Sequence, residues 1–464
     1  MMFKQANQIL YDEFKKENIL ELYNTYITNS TAVGIDKMTK KIFERNLDEH
    51  IDTIQRKVID GSYRFTYYKE KLIIKNRNSY PRMISIPTIR DKIVLKKLQI
   101  LLRELFEINP PLVQTVIQNI KNQLNSFSSF IKIDISNFYG SLNHNILKKR
   151  LKTKIKKTEI RNLLMNAIQN PTVPDSHTRN NSYKKSDKGV PQGLPIANTL
   201  AEIYMKKLDD RYGKKLNLRY FRYVDDILIL CDKSELTKIK QDILNDLKLS
   251  YELPINTDKT IHGDIKEGFE FLGYAAEFNE KKNKMILTIK KSAKLKFEQS
   301  LVDLFAKYSK SNISPQEFMF YLNLKITGSI SKKVDEKNEK IEKKFGWLFF
   351  YSQLDDVKYL HHLDYLVEKF IDQYNLRSKF EAADAQHKKF YKAYYEIIQN
   401  RSKSQYIFKP DDLSIFKKKQ MLINVFKVSK SKLNTEESIE RIFKKKVFKP
   451  IKYLHKDIQH LGYN

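Results

Sequence analysis

Hydrophobic positions divide the chain into a first part of mixed periodicity and a second part of helical periodicity. Residues 62–90 alternate as strands do, and the polar insert at 76–80 predicts a hairpin turn. Residues 91–106 show helical spacing, whereas 130–135 alternates again. Beyond about residue 290, turn residues thin out and Lys-, Leu- and Phe-rich helical segments follow. The pattern predicts an α+β protein whose second part is all-α.

Acidic residues interrupt two of the predicted strands. The segment 222–231 has two apolar runs around a polar tip, which predicts a hairpin whose turn carries Asp225 and Asp226. Asp134 ends an apolar strand, where an acid is costly unless it binds something. Nucleotidyl transfer uses two divalent ions, and Mg²⁺ prefers oxygen ligands. The acids thus predict a metal site, although an ordinary Asp-Asp turn and a helix-capping Asp134 are the alternatives.

Charge and cysteine content narrow the class of protein. The 464 residues are enough for two or three domains, and they carry 86 Lys and Arg against 55 Asp and Glu, a formal net charge of +31. Such an excess favours a nucleic-acid partner. An AT-rich genome would explain many lysines but not the shortage of acids. One cysteine excludes disulfides and Cys-based zinc sites. With no signal peptide or membrane-length apolar stretch, we expect a cytoplasmic protein without a membrane partner.

Six ordered segments resemble the conserved blocks of bacterial reverse transcriptases of the group II intron and retron-like superfamily. They are Val33-Gly34-Ile35-Asp36, Arg82 to Pro87, the Asp134 strand, Gly189 to Pro195, Tyr223-Val224-Asp225-Asp226 and Phe271-Leu272-Gly273-Tyr274. They span residues 33–274, somewhat more than half of the chain. The resemblance implies an RNA-directed DNA polymerase with a right-hand fold, in which fingers and a palm with an antiparallel sheet precede an all-α thumb and a helical C-terminal domain.

The same resemblance implies a division into four parts. Residues 1–130 would form N-terminal helices and fingers, and residues 131–275 the palm, with a finger insertion at about 145–190. Residues 276–345 would form the thumb. Residues 346–464 would form a C-terminal helical domain associated with RNA, and their basic clusters at 417–419 and 444–446, with interleaved phenylalanines, favour that contact.

Catalytic and metal-binding roles follow from the resemblance residue by residue. Asp134, Asp225 and Asp226 match the catalytic acids that hold two Mg²⁺ ions, for which Mn²⁺ is a substitute, and the backbone of Ile135 joins the metal ligands. The nucleotide-binding positions are Lys75, Arg82, Tyr139, Gln192, Gly193 and Lys259. Tyr139 would exclude a ribose 2′-hydroxyl and so select dNTPs. An ordinary basic hairpin is the alternative for Lys75, and core packing is the alternative for Tyr139 or Phe138.

Departures from the superfamily point to one subgroup. No Cys- or His-rich endonuclease segment follows the thumb region, and Phe345-Gly346-Trp347-Leu348-Phe349-Phe350-Tyr351 before a helical tail resembles defence-associated reverse transcriptases of the abortive-infection and unknown-group kind. That resemblance implies antiphage defence, a dedicated noncoding RNA as template or scaffold, a cDNA product and room for a homo-oligomer. The alternatives are a non-templated or protein-primed DNA polymerase, a maturase-like RNA-binding scaffold with vestigial catalysis, and an RNA-dependent RNA polymerase, against which Tyr139 argues.

Overall fold

The computed structural model describes residues 6–27, 32–74, 81–177, 183–334 and 340–458. Lys75 and the polar insert at 76–80 therefore lie outside the described residues. No helix in the described ranges is both long enough and apolar enough to cross a lipid bilayer.

Twenty α-helices occur in the described ranges. In chain order they are α1 Ala6–Glu13, α2 Lys16–Leu22, α3 Lys40–Arg45, α4 Leu47–Ile59, α5 Ile89–Phe106, α6 Val113–Gln123, α7 Phe138–Ser141, α8 His144–Lys152, α9 Thr158–Gln169, α10 Ala197–Gly213, α11 Leu236–Asn245, α12 Lys291–Ser309, α13 Pro315–Thr327, α14 Trp347–Phe350, α15 Lys358–Gln373, α16 Arg377–Ala382, α17 Phe390–Gln399, α18 Ile415–Asn424, α19 Glu436–Phe443 and α20 Lys449–Tyr453.

The described strands form four small sheets. In chain order the strands are β1 Tyr68–Ile73, β2 Arg82–Ile86, β3 Ser129–Asp134, β4 Thr172–Val173, β5 Leu218–Tyr223, β6 Asp226–Cys231, β7 Ile261–Asp264, β8 Phe269–Phe271, β9 Tyr274–Asn279, β10 Lys284–Ile289, β11 Ser329–Val334 and β12 Lys340–Phe345. The sheet orders are β2-β1-β4, β5-β6-β3-β7, β10-β9-β8 and β11-β12. All the pairs are antiparallel except β1 with β4, among those whose register is defined.

The chain divides into two compact units. The first contains the described residues of Met1–Pro111 and Ser128–Gly263, and the second those of Leu112–Phe127 and Asp264–Asn464. In the first unit, the sheet β5-β6-β3-β7 forms much of the core, because strand β6 is buried from Ile227 through Cys231. We call this sheet the central sheet. A strand buried on both faces reads as a continuous apolar run, as this one does.

The second unit is mostly helical and rich in aromatic packing. Phe297 stacks on Trp347 with ring centroids 4.3 Å apart, and Tyr308 stacks on Phe318 at 4.1 Å. Helix α13 shows why such segments are helical: Ser314 caps it by accepting a hydrogen bond from Glu317 N–H, proline occupies its first turn, and Gly328 follows its end. A separate apolar cluster packs α18, α19 and α20 through Leu422, Phe443 and Ile451, among others.

The α+β class predicted from the sequence is confirmed, and so is the helical character of the C-terminal region. The expectation of an all-α segment at 276–345 is wrong at two places, strands β9 and β10 at its start and the β11–β12 hairpin at its end. The hairpin gives the clearest reason. Its strands contain Ser-Lys-Lys and Glu-Lys-Lys, which have low strand propensity and hide the alternation. The predicted hairpin at β5–β6, the strand β3 and the helix α5 all form as expected.

Candidate active site

The register of the central sheet brings the predicted acids to one end of adjacent strands. Strands β3 and β6 are antiparallel, and Asp134 is the direct Cα partner of Asp226. Asp225 lies immediately before Asp226, in the turn that joins β5 to β6. Side chains of directly opposed strand residues are neighbours on the same face of a sheet. We call Asp134, Asp225 and Asp226 the acid edge.

The turn that carries Asp225 has an unusual backbone. Val224 adopts φ +59°, a left-handed conformation that is strongly disfavoured for a β-branched residue. Such strain costs on the order of 1–3 kcal/mol and persists only where the surroundings hold it in place. Here the Arg222 guanidinium donates a hydrogen bond of 2.9 Å to the Val224 carbonyl oxygen. Arg222 therefore holds the turn on which Asp225 is presented.

Arg222 is itself fixed by two carboxylates of helix α10. Its Nε donates to Asp209 Oδ1 at 2.8 Å, and its Nη1 donates to Glu202 Oε1 at 3.2 Å. The Tyr220 hydroxyl also donates to Asp209 at 2.9 Å. The two carboxylates hold the pKa of Arg222 well above its ordinary value despite the burial that opposes it, with only 5% of its side chain exposed. We call Arg222, Glu202 and Asp209 the arginine cluster.

Sequence reasoning did not find the arginine cluster. A signal was present, because Glu202 and Asp209 are seven residues apart on an amphipathic helix and so share one face. Arg222 and Tyr220 alternate on the next strand and point to one face of the sheet. Only the packing of α10 against β5 shows that these faces meet.

Asp134 is engaged by the segment that precedes β7. Asn256 Nδ2 donates to Asp134 Oδ2 at 3.0 Å, and Lys259 Nζ lies 3.9 Å from the same oxygen with 69% of its side chain exposed. The alternative in which Asp134 caps the following helix does not apply, since α7 begins at Phe138 after Asn137. Asn256 was also missed from the sequence, because it lies 122 residues away.

The backbone of Ile135 continues β3 by one bridge. Ile135 pairs with Ile255, and the bridge is closed by Asn256 N–H to the Asp134 carbonyl at 2.9 Å and by Ser136 N–H to the Pro254 carbonyl at 2.8 Å. These bonds use the backbone groups of the flanking residues. In an antiparallel bridge of this type, the Ile135 carbonyl points away from the strand containing Ile255.

Tyr139 and Phe138 have different environments. Phe138 is buried, so the core-packing alternative describes Phe138, whereas Tyr139 is half-buried. The Tyr139 hydroxyl donates to Asn198 Oδ1 at 2.5 Å. Burial and then the negative charge of Asp225 raise the pKa of this hydroxyl well above its ordinary value. The structure thus places Tyr139 within electrostatic range of the acid edge.

The loop that contains Gln192 and Gly193 connects two parts of the first unit. Its Gln192 carbonyl accepts a hydrogen bond of 2.7 Å from Ser85 N–H on β2. Gly193 has φ +98°, and a Cβ there would lie 2.6 Å from Ile84 Cγ2, so glycine is required. Two residues before Gln192, Val190 N–H donates to the Tyr139 carbonyl at 2.8 Å. His144, to which no role was assigned, contacts the Gly189 carbonyl through Nε2 at 2.6 Å.

Arg82 begins strand β2 opposite Ile73, and it is exposed. Its strand is the one that contacts the Gln192–Gly193 loop through Ser85. Lys75, the other predicted triphosphate contact, lies outside the described residues. The structure therefore connects the loop, β2 and Tyr139 by hydrogen bonds, while Arg82 lies at the far end of β2 from Ser85.

The chemistry of the acid edge suits a hard divalent cation, since its donors are carboxylate oxygens. Within the described ranges, no three His, Cys, Asp or Glu side chains are grouped closely enough to form a ready-made metal cage. What the fold supplies is the strand register that makes Asp134 and Asp226 neighbours and places Asp225 beside them.

A family comparison covers the segment that contains the acid edge. Residues 73–276 match the family model described as reverse transcriptase (RNA-dependent DNA polymerase). This segment includes the whole acid edge, Tyr139 and the Gln192–Gly193 loop. Residues 73–276 are therefore similar to the reverse transcriptase domains of RNA-directed DNA polymerases.

Individual relatives share this domain at low identity. Protein YkfC of Escherichia coli (strain K12) is 22% identical over 290 residues, covering 52% of this chain and 74% of YkfC. Group II intron-encoded protein LtrA of Lactococcus lactis subsp. cremoris is 24% identical over 201 residues, covering 40% of this chain and 32% of LtrA. The chain thus spans about a third of the intron-encoded protein.

Among solved structures, the chain is similar to a telomerase from Candida albicans in complex with a fragment of telomeric RNA. The identity is 14% and the TM-score is 0.42, with 91% of this chain and 69% of that chain covered. The similarity to reverse transcriptases rests on the match of residues 73–276.

Proposed function

We propose that the protein synthesises cDNA by transferring dNTPs at the acid edge, using RNA as template. The observation that carries this proposal is the pairing of Asp134 with Asp226 in adjacent strands, with Asp225 in the strained turn beside them. Three carboxylates at one edge are costly for a fold unless a cation binds there. The arginine cluster supports the proposal, since it holds that turn in a conformation its sequence disfavours.

In this proposal Asp134, Asp225, Asp226 and the backbone carbonyl of Ile135 hold two Mg²⁺ ions, for which Mn²⁺ can substitute. Such ions would neutralise charge on the transferred phosphate and lower the pKa of the attacking 3′-hydroxyl. Asn256 orients the Asp134 carboxylate, because it donates to Oδ2 at 3.0 Å. Lys259 would supply an exposed positive charge near that oxygen, suited to the phosphates of an incoming nucleotide.

The remaining predicted residues would hold the nucleotide. Arg82 and Lys75 would contact the triphosphate, and Gln192 with Gly193 would line the pocket, where the missing side chain of glycine permits close approach. Tyr139 would stand against the ribose, and its bond to Asn198 keeps the ring in place. A fixed aromatic ring at that point would collide with a 2′-hydroxyl, which is why dNTPs are the proposed substrates.

We further propose that the enzyme acts in the bacterial cytoplasm in antiphage defence, with a dedicated noncoding RNA as template or scaffold. Support comes from the aromatic segment at Trp347–Phe350 and from the helical region that follows it in place of a Cys- or His-rich segment. The high positive charge also suits a bound RNA. Fingers, palm, thumb and C-terminal domain would follow the division at residues 130, 275 and 345, and self-association is part of the same proposal.

Purified protein tests the chemistry directly. We expect extension of a DNA primer on an RNA template with dNTPs and Mg²⁺, and loss of extension in Asp225→Asn. Asp210→Asn, an exposed acid of the same unit on α10, is the matched control and should keep full activity. Extension by Asp225→Asn at the rate of the unchanged protein would refute the site.

Cells carrying the gene with its flanking locus test the biological role. We expect cDNA that maps to a neighbouring noncoding RNA, together with reduced phage plaque formation, both lost in Asp225→Asn. Product that partitions with protein into phenol until protease treatment would instead favour protein-primed synthesis. Full protection by Asp225→Asn would favour the RNA-binding scaffold.

A further inference from the structure

A row of lysines lies along the last helical stretch of the second unit. Helix α19, a π-helical turn at Lys444–Phe448, helix α20 and a 3₁₀ turn at Leu454–Asp457 succeed one another without an intervening loop. Lys445, Lys449, Lys452 and Lys456 are spaced by four, three and four residues along it, and all four are exposed. That spacing places them on one side of a helix. We call these four residues the lysine row.

The opposite side of the same stretch is buried. Val447, Ile451 and Leu454 are 9% exposed or less and belong to the apolar cluster that packs α18 to α20. They are offset from the lysine row by two residues, about 200° around a helix. The row is therefore presented outward on a helix that is anchored by its other side. Eleven residues separate its first and last members, which corresponds to about 16 Å.

Charge along this stretch is one-sided. Residues 441–458 contain seven Lys and Arg and a single acid, Asp457, which pairs with Lys325 at 2.8 Å. The triple-lysine clusters seen in the sequence are only partly available, because Lys418 pairs with Glu440 at 2.6 Å and Lys446 with Glu317 at 2.9 Å. Of those clusters, the candidate surface retains Lys445, and it continues along the other three lysines of the row.

An exposed aromatic ring accompanies the lysines. Tyr453 lies between Lys452 and Lys456 in the chain and is 47% exposed, with Lys456 Nζ 4.2 Å from its ring centroid. A line of cationic side chains beside an exposed aromatic ring suits a sugar-phosphate backbone that carries an unstacked base. A basic helix that lies on a membrane buries its apolar face among lipids, but here that face is occupied by the protein core.

We propose that the lysine row and Tyr453 bind the phosphate backbone of a single-stranded RNA segment. This surface lies outside the reverse transcriptase domain at residues 73–276 and deepens the proposed use of RNA by assigning a contact in the C-terminal region. The proposal rests on the proposed function for the identity of the strand as RNA, while the binding itself needs neither dNTPs nor a metal ion.

The test is equilibrium binding of a short unstructured RNA to the full chain, without divalent ions, across a series of salt concentrations. Each phosphate contact on a single strand contributes about 0.7 to the slope of log affinity against log salt. Changing all four lysines of the row to Gln should therefore reduce the slope by about 3 and weaken binding at low salt. Tyr453→Ala alone should weaken binding with little change of slope, because stacking carries no counterion term.

A charge-matched control separates a specific surface from general basicity. Lys310, Lys369, Lys379 and Lys403 are exposed lysines of the same unit, and changing these four to Gln removes the same charge. We expect the control to keep at least most of the salt slope. Equal losses in both variants would overturn the proposal, as would an unchanged slope in the lysine-row variant. The proposal would also be overturned if the lysine-row variant lost more of its binding to anionic vesicles than of its binding to RNA.

Thermal unfolding of the variants guards against misfolding, and all eight lysines are exposed, so we expect unchanged transitions. Primer extension on a short template is measured in parallel. Loss of RNA binding by the lysine-row variant supports this proposal even if Asp225→Asn keeps activity. If the lysine-row variant instead binds RNA as the unchanged protein does and still extends the primer, this proposal is refuted and the active-site proposal is unaffected.

Discussion

Two groups of carboxylates flank the β5–β6 hairpin, and they are compensated in different ways. Glu202 and Asp209 contact the buried guanidinium of Arg222 through several hydrogen bonds. In the acid edge, Asp134 accepts from the neutral amide of Asn256, and its nearest lysine, Lys259, lies 3.9 Å away and is mostly exposed. Carboxylates therefore serve two purposes on the two sides of one hairpin.

The contrast shows how a fold separates structural from chemical acids. A fixed cation that is built into the core neutralises acids permanently and makes them part of the scaffold. An amide and an exposed lysine 3.9 Å away leave the charge of the carboxylate largely uncompensated, so that carboxylate can still bind an exchangeable cation. Replacing a charged side chain by a neutral one should therefore lower catalysis in the acid edge and stability in the arginine cluster.

The largest effect is expected for the acid edge on catalysis. Asp226→Asn should lower the rate of nucleotide incorporation by about a thousandfold or more, because losing a metal ligand removes several kcal/mol of transition-state stabilisation. The same change should leave the free energy of unfolding nearly unaltered. Primer extension and urea denaturation measure the two quantities. A variant that unfolds easily yet remains active would reverse the comparison.

The arginine cluster should show the opposite behaviour. Arg222→Met removes the buried cation and leaves the half-buried carboxylates of Glu202 and Asp209 without it, which should reduce the free energy of unfolding by about 3 kcal/mol. Arg211→Met is the control, because the Arg211 side chain is 61% exposed and its pair with Asp246 should contribute less than about 1 kcal/mol. Similar losses of unfolding free energy in both variants would show that the arginine cluster contributes no more to stability than an exposed ion pair does.

The buried acid Asp91 tests the rule where hydroxyl groups replace a cation. Asp91 accepts from the hydroxyls of Tyr63 and Thr88 and from Thr66 N–H, and burial raises its pKa from 3.8 to about 6. The folded protein therefore holds this proton more tightly than the unfolded chain. Its contribution to stability is full below about pH 4 and is lost as the pH rises through about 6, with a total of about 3 kcal/mol.

Asp91→Asn removes that titration. The difference in unfolding free energy between the unchanged protein and the variant should therefore shift across this pH window and become constant above it. Urea denaturation at a series of pH values checks this. A difference in unfolding free energy that is independent of pH would contradict the raised pKa of Asp91.

The smallest effect concerns nucleotide selectivity beside the acid edge. Tyr139→Ala should increase the relative incorporation of ribonucleotides by about tenfold to a hundredfold, since it removes the ring that would exclude a 2′-hydroxyl. Tyr139→Phe loses only the bond to Asn198 and should keep the preference for dNTPs. Competition between dNTPs and NTPs in primer extension measures the ratio. If Tyr139→Ala selected dNTPs over NTPs as strongly as the unchanged protein does, Tyr139 would not be the residue that excludes the 2′-hydroxyl.

Much of the candidate site could be predicted because the relevant signals are local. Asp225 lies in the two-residue turn between β5 and β6, Asp226 begins β6, and Asp134 ends an alternating strand. Gly193 was informative because glycine is scarce here, with 12 in the whole chain, and the structure gives the position a positive φ and no room for a Cβ. The β11–β12 hairpin was missed because its lysines mask the strand pattern.

The amino-acid sequence by itself determined the α+β class, the candidate acids and the positive charge that points to nucleic acid. These follow from residue type and short-range spacing, which a chain carries whatever its tertiary structure. Only the tertiary structure decided that Asp134 faces Asp226, that Arg222 holds the Val224 turn through Glu202 and Asp209, and which lysines remain exposed. Those facts depend on the register of strands and on contacts between residues far apart in the chain, which local patterns do not specify.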